Sequence, residues 1–123
     1  MTLRDELYTI TASLSDDKNA VYTLSLHPES VIYKAHFPSH PITPGVCIVR
    51  AAVELAELFL DCRLTLVKVK NVKFLSVISP EETKEVVYRI SSFKEEGDLQ
   101  SFQCNVTAND IVMAKMSLSC KKQ

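Results

Sequence analysis

Glycine is nearly missing from this chain. There are two in 123 residues, and one of them, Gly45, closes the segment HFPSHPITPG, which also holds Pro38, Pro41 and Pro44. With no Gly/Ser-rich tract, repeat or low-complexity stretch, nothing in the composition marks a linker, so residues 1–123 are expected to form one domain. A chain of this length can bury roughly two thirds of its extended surface. No apolar run approaches the roughly 20 residues needed to span a bilayer. The start MTLRDELYTI has acids where a secretory leader needs a basic stretch and then an apolar one. A cytoplasmic protein with no membrane partner is therefore expected. Neither sign of charge predominates, with 14 basic and 15 acidic residues, and no basic stripe is interleaved with aromatics, which argues against nucleic acid. The cysteines, Cys47, Cys62, Cys104 and Cys120, include no CxxC pair. They are expected as free interior thiols, with no metal and no cofactor.

What is present is a clear hydrophobic period. Tyr8, Ile10, Ala12 and Leu14 alternate with polar residues, as do Tyr22, Leu24 and Leu26, and each set predicts a strand with one buried face around an SDDK turn. Val31, Tyr33 and Ala35 predict a third short strand leading into the proline-rich segment. After Gly45 the alternation stops. VCIVRAAVELAELFL has no Gly or Pro, and its charges, Arg50, Glu54 and Glu57, fall at helical spacing, with Asp61 continuing the stripe. The rest of that helix is apolar and is expected to be covered on most of its circumference.

Strands are predicted to follow. RLTLVKVKNVKFL is β-branched, but its apolar phase slips after Leu66 and again after Val69, which predicts bulges or burial on both faces. KEVVYRISSF comes next, with Lys94 to Gln100 read as a hairpin loop. Phe102, Cys104 and Val106 alternate on one face, Asn109 and Asp110 make a tight turn, and Val112 to Cys120 alternate again. The pattern as a whole predicts an α+β fold, with about six antiparallel strands curled around one central helix.

A strand, then HFPSHPITPGV, then a buried helix resembles the motif of the hot-dog fold 3-hydroxyacyl-acyl-carrier-protein dehydratases. VKFLSVISPEET resembles a second, weaker family stretch, with Ser76 and Glu81 in place of a proline and a glycine. The resemblance spans roughly residues 31 to 120. It implies a hot-dog fold, an acyl thioester substrate on acyl carrier protein or coenzyme A, and a homodimer or larger assembly, with a heterodimer as a further option. It implies that His36 is the catalytic base. It further implies that Gly45, with Val46, Phe37, Pro44 and Arg50, binds the oxyanion and substrate.

Dehydrating a 3-hydroxyacyl thioester needs a base, an acid for the departing hydroxyl and donors for the enolate-like oxygen. Prolines restrict the backbone on either side of His36 and Gly45. Gly45 at a helix start can present its N–H to a developing anion at close range. The family's acid, five residues after that glycine, is missing: Arg50 stands there, and a guanidinium does not surrender its proton at physiological pH. Glu54, one turn on, is the nearest carboxylate and the candidate for the second catalytic group. Three functions fit these residues: a dehydratase or hydratase of lipid or polyene biosynthesis, an acyl thioesterase with Glu54 directing water, and an acyl-binding subunit or heterodimer partner without its own acid.

Overall fold

Alternation of buried and exposed side chains builds a sheet with one dry face, and here that face closes on a helix. The computed structural model describes residues 2–35 and 39–123. In chain order the elements are β1 (Tyr8–Ser15), β2 (Ala20–Leu26), α1 (Val31–Ala35), α2 (Gly45–Leu60), β3 (Leu64–Phe74), β4 (Glu85–Glu96), β5 (Leu99–Ala108) and β6 (Ile111–Lys122). All six strands pair antiparallel in one sheet of order β1-β2-β4-β5-β6-β3. This is the curled sheet and single long helix that the hot-dog resemblance implied.

The core forms where strand alternation meets the helix. Leu24, Val86, Tyr88, Ile90, Phe102, Cys104, Val106, Met116 and Leu118 from the sheet join Ile48, Ala51, Ala52, Val53, Leu55 and Ala56 of α2 in one buried cluster. The three alanines keep the helix surface low, which lets the sheet approach closely. At the helix C-terminal end, Phe59 stacks on Phe93 with ring centroids 4.8 Å apart, and Phe93 in turn meets Phe102 at 5.5 Å. The helix ends at Asp61, whose left-handed backbone (φ 53°, ψ 47°) turns the chain into β3.

Local chemistry sets the turns. The Asp16 carboxylate accepts from the N–H groups of Lys18 and Asn19, both at 2.8 Å, and closes the β1–β2 hairpin. Asn109 and Asp110 both have positive φ, 52° and 64°, as a two-residue hairpin requires. The two phase slips in β3 are register shifts against β6, between Leu66 and Lys68 and between Val69 and Asn71. Burial on both faces does not explain them, because most of β3 is exposed.

Three local expectations are corrected. Val31–Ala35 is a short helix rather than a strand. Five residues cannot separate the two periods, and the side chains that decide the matter lie outside the segment. Ser30 Oγ accepts from Ile32 N–H at 3.2 Å, and Glu6 Oε1 accepts from Val31 N–H at 3.3 Å, so the first turn is capped from β1's side of the fold. The β4–β5 loop is shorter than Lys94 to Gln100: both strands run on until only Gly97 and Asp98 remain between them, with Gly97 at φ 64°. In β1 only Tyr8 is buried, and Leu14 is exposed, because this edge strand extends past the reach of α2.

The other edge strand is β3. It is 11 residues long, it pairs only with β6, and it carries exposed Val67, Val69 and Phe74, continued by exposed Leu75 and Val77. Val46 and Leu58 of α2 are exposed as well. Among the described residues, no helix is long and apolar enough to cross a membrane.

Candidate functional site

His36 and Phe37, the predicted base and its neighbour, lie outside the described residues. The residues that flank them do not. Tyr33, in the middle of α1, is buried, and its hydroxyl hydrogen-bonds Thr43 Oγ1 at 2.8 Å. Thr43 is buried too, and its N–H donates to the Ile78 carbonyl at 2.8 Å. The segment from Tyr33 to Thr43 is thus closed at its base by one side-chain bond and fastened to the β3–β4 connection by a backbone bond. Pro41 is buried inside that span. Burial raises the Tyr33 hydroxyl above the usual phenolic range, while its bond to Thr43 pulls the other way.

Pro44 is the N-cap of α2, in extended conformation, with no side-chain cap. Gly45 and Val46 are therefore the first two helical residues, and the helix supplies no acceptor for their N–H groups. The Phe74 ring of β3 covers the Gly45 Cα: a Cβ placed there would lie 2.8 Å from the ring tip. A side chain at this position would have to push the half-exposed ring aside. Gly45, Ile48, Ile42, Phe74 and Val77 line a cavity of about 330 Å³.

Arg50 and Glu54 face a different cavity of about 830 Å³, bounded by the charged stripe of α2, the N-terminal residues and the start of β3. The helix itself explains this separation. At about 100° per residue, the five steps from Gly45 to Arg50 turn about 140° around the axis, and the nine steps to Glu54 turn about 180°. Within one chain, the Cα of Gly45 and the side chains of Arg50 and Glu54 therefore lie on different sides of α2 and line different cavities.

Glu54 is only 6% exposed, although the charge pattern had set it on a polar stripe. Its Oε2 accepts from Leu3 N–H at 2.7 Å; its Oε1 accepts from Arg4 N–H at 3.1 Å and from the Tyr8 hydroxyl at 2.8 Å. Arg50 Nε stands 3.5 Å from Oε2, beyond a good hydrogen bond, and has no hydrogen-bond partner among the described residues. Burial, and then the bond to Glu54, push the Tyr8 hydroxyl far above its ordinary range. The nearby Glu57 also spends an oxygen on main chain, Oε2 accepting from Leu64 N–H at 2.8 Å.

Cys47 lies at the helix start, where a thiol can be activated, but burial and then the Glu54 charge push its pKa up, the reverse of what a nucleophile needs. All four cysteines are free. The sequence reading missed Tyr8, Tyr33 and Thr43 as anchors and Phe74 as the cover of Gly45. Only Phe74 had a signal, in its place within VKFL; the others depend on which strand lies beside which.

A family model described as ApeI-like, ApeI dehydratase, matches residues 12–116. No curated protein matches the chain. Among solved structures, the dehydratase heterocomplex ApeI:P from Xenorhabdus doucetiae superposes with a TM-score of 0.75 at 19% identity, covering 93% of this chain and 97% of that one. A hypothetical thioesterase with coenzyme A from Streptococcus pneumoniae reaches 0.68 at 8% identity over 94% and 85% of the two chains. A Streptococcus mutans protein bound to acetyl CoA reaches 0.68 at 9%, over 98% and 91%. These likenesses establish the shared fold.

The environment of Glu54 yields a stability prediction. Glu54→Gln keeps the side-chain shape but removes the charge and one of the two acceptor oxygens, so donors are left unpaired in a buried site. Urea unfolding should show a loss of about 2–4 kcal/mol. A loss below about 1 kcal/mol would mean that the carboxylate does not hold the N-terminal segment.

Proposed function

Since the chain belongs to the ApeI-like dehydratase family, we propose that it acts on 3-hydroxyacyl or 2-enoyl thioesters, borne by acyl carrier protein or coenzyme A, in a site completed by a second chain. The observation that carries this reading is the helix geometry. Gly45 and the position held by Arg50 face different cavities of one chain, so a site using both kinds of group must draw them from two chains. In this reading His36 removes the proton next to the thioester carbonyl, and the N–H groups of Gly45 and Val46 hold the oxygen as it gains charge, at the positive end of α2. Pro44 and Phe37 shape the approach, and the partner's α2 supplies the group that meets the leaving hydroxyl.

The acid is the point at which this chain departs from its family. In a homodimer Arg50 stands in both sites, so only a different chain can bring a carboxylate to that position. The dehydratase heterocomplex among the structural neighbours supports this option. The thioesterase reading relied on Glu54 to direct water, and the three hydrogen bonds on its two oxygens weaken that role. The surface for a partner is the exposed β3 edge, with Val67 and Val69 beside free backbone groups. Pairing there would run two sheets into one.

Purified protein is expected to interconvert 3-hydroxyacyl and 2-enoyl thioesters without releasing free thiol, alone or with a partner chain that carries the acid. His36→Ala should lower that rate roughly 100-fold or more. Thiol release would favour hydrolysis, and tight binding without turnover would favour an acyl-binding subunit.

Arg50→Glu places a carboxylate where the family has one and should raise dehydration by the chain alone. If the variant folds and stays inert towards every thioester tested, the position does not face a substrate.

Sedimentation equilibrium should give twice the 13.8 kDa chain mass. A monomer at tens of micromolar would reject pairing between copies of this chain.

A further inference from the structure

The face of the sheet turned away from α2 gathers basic side chains that lie far apart in the chain. Residues paired across neighbouring strands share a face. One such row crosses the whole sheet, from Lys73 through Lys115, Asn105 and Arg89 to Val21 and Leu14. A second runs from Lys68 through Ser119 and Ser101 to Lys94, and Lys70 reaches into it to donate to Ser101 Oγ at 3.2 Å. Arg89 and the five lysines of this array are exposed, and among the described residues none of them forms an ion pair. The strand acids on the same face are Glu85 and Glu96, the first and last residues of β4. Because the net charge of the chain is -1, most of its acids lie elsewhere, and the surface is polarised. No run of sequence shows this, since the basic residues come from three different strands.

From this we infer that the outer face of the sheet rests on an anionic lipid bilayer. The strand aromatics, Tyr8, Tyr22, Phe74, Tyr88, Phe93 and Phe102, all turn towards α2 and the core. The basic face therefore has no ring to anchor a protein partner or to stack a nucleic-acid base. Between its charges stand Asn71, Gln103, Asn105 and serines, and lysine and serine are depleted from protein interfaces. Lysine is a hydrated point charge on a flexible stem, suited to a diffuse field more than to the forked recognition of one group. Anionic headgroups supply such a field, which needs neither groove nor anchor. A DNA duplex is anionic too, but it meets an outward-curving face along a line. A bilayer faces the whole array, about 14 Å across from β4 to β3 at three strand spacings. Antiparallel pairing of β3 edges would keep this face outward in both copies, so that Lys68, Lys70 and Lys73 of the two chains met at the centre of one basic surface. That doubling rests on the two-chain reading above, whereas the array within one chain does not. The lack of a spanning helix among the described residues bears on insertion and not on attachment to a surface.

Co-sedimentation of the intact protein with phosphatidylcholine vesicles, with and without about 30 mol% phosphatidylglycerol, tests this. The protein should bind the anionic vesicles at least roughly ten-fold more tightly, and added salt should abolish the difference. The triple variant Arg89→Gln, Lys94→Gln, Lys115→Gln changes positions off the β3 edge. It should lose at least about ten-fold in binding while its melting curve and its mass in sedimentation equilibrium stay unchanged. A second triple variant, Lys18→Gln, Lys34→Gln, Lys84→Gln, removes the same charge from outside the array and should bind as the unaltered protein does. Equal binding to both kinds of vesicle overturns the inference. So does an equal loss in the two triple variants, which would make net charge and not the face responsible. A short DNA duplex or an acidic carrier protein that is held more tightly than the anionic vesicles, and released by the first triple variant alone, overturns the bilayer as occupant. If the first triple variant does not fold, the single changes Arg89→Gln and Lys115→Gln decide, each expected to weaken binding about five-fold. Turnover of thioesters in solution uses none of these residues, so a failure to bind vesicles leaves the dehydratase reading standing.

Discussion

One buried carboxylate organises the functional half of this protein. Glu54 sits against the core on α2, and burying its charge is tolerable only because donors from three other positions converge on it. Two of them are the N–H groups of Leu3 and Arg4, so the N-terminal segment is held to the helix where β1 begins. The third is the hydroxyl of Tyr8, the one fully buried residue of β1. The same charge lies beside Arg50 and contributes to raising the Cys47 thiol. The position of β1 and the setting of Arg50 thus share one electrostatic cause, which adds to burial in raising the Cys47 thiol.

Around that anchor, buried tyrosines fix the helix against its surroundings. Tyr8 reaches Glu54, Tyr88 donates to the Ile48 carbonyl at 3.1 Å, and Tyr33 closes on Thr43 just before Gly45. Each uses an apolar ring to fill the core and a hydroxyl to hydrogen-bond a polar group beside it. The described residues on either side of positions 36–38 are consequently fixed at Tyr33 and Thr43. Stiffness from Pro38, Pro41 and Pro44 would be of little use without such ends, because a rigid segment on loose hinges positions nothing.

Glycine scarcity acquires a meaning in the same frame. Gly97 serves a two-residue turn with positive φ, and Gly45 serves a close approach, with the Phe74 ring against its Cα. Neither provides general flexibility. The contact between Gly45 and Phe74 joins the two sequence stretches that resembled the dehydratase family, HFPSHPITPGV and VKFLSVISPEET, at one cavity wall.

The sequence by itself determined the elements whose cause is local. Alternation set four of the strands, the loss of alternation after Gly45 set α2, the phase slips pointed to the β3 bulges, and Asn109-Asp110 set its hairpin, because each depends on neighbours within a few residues. Tertiary structure alone decided the rest. Val31–Ala35 became a helix because Glu6, 25 residues away, caps it. Glu54 became a buried anchor because β1 and the N-terminus lie beside it, whereas the helical spacing of Arg50, Glu54 and Glu57 reads equally as a solvated stripe. The division of Gly45 from Arg50 and Glu54 followed from helical rotation and became visible only once each side of α2 had a cavity. Period reports which residues share a face; it does not report what that face meets, and both the burial of a charge and the composition of a site depend on what it meets.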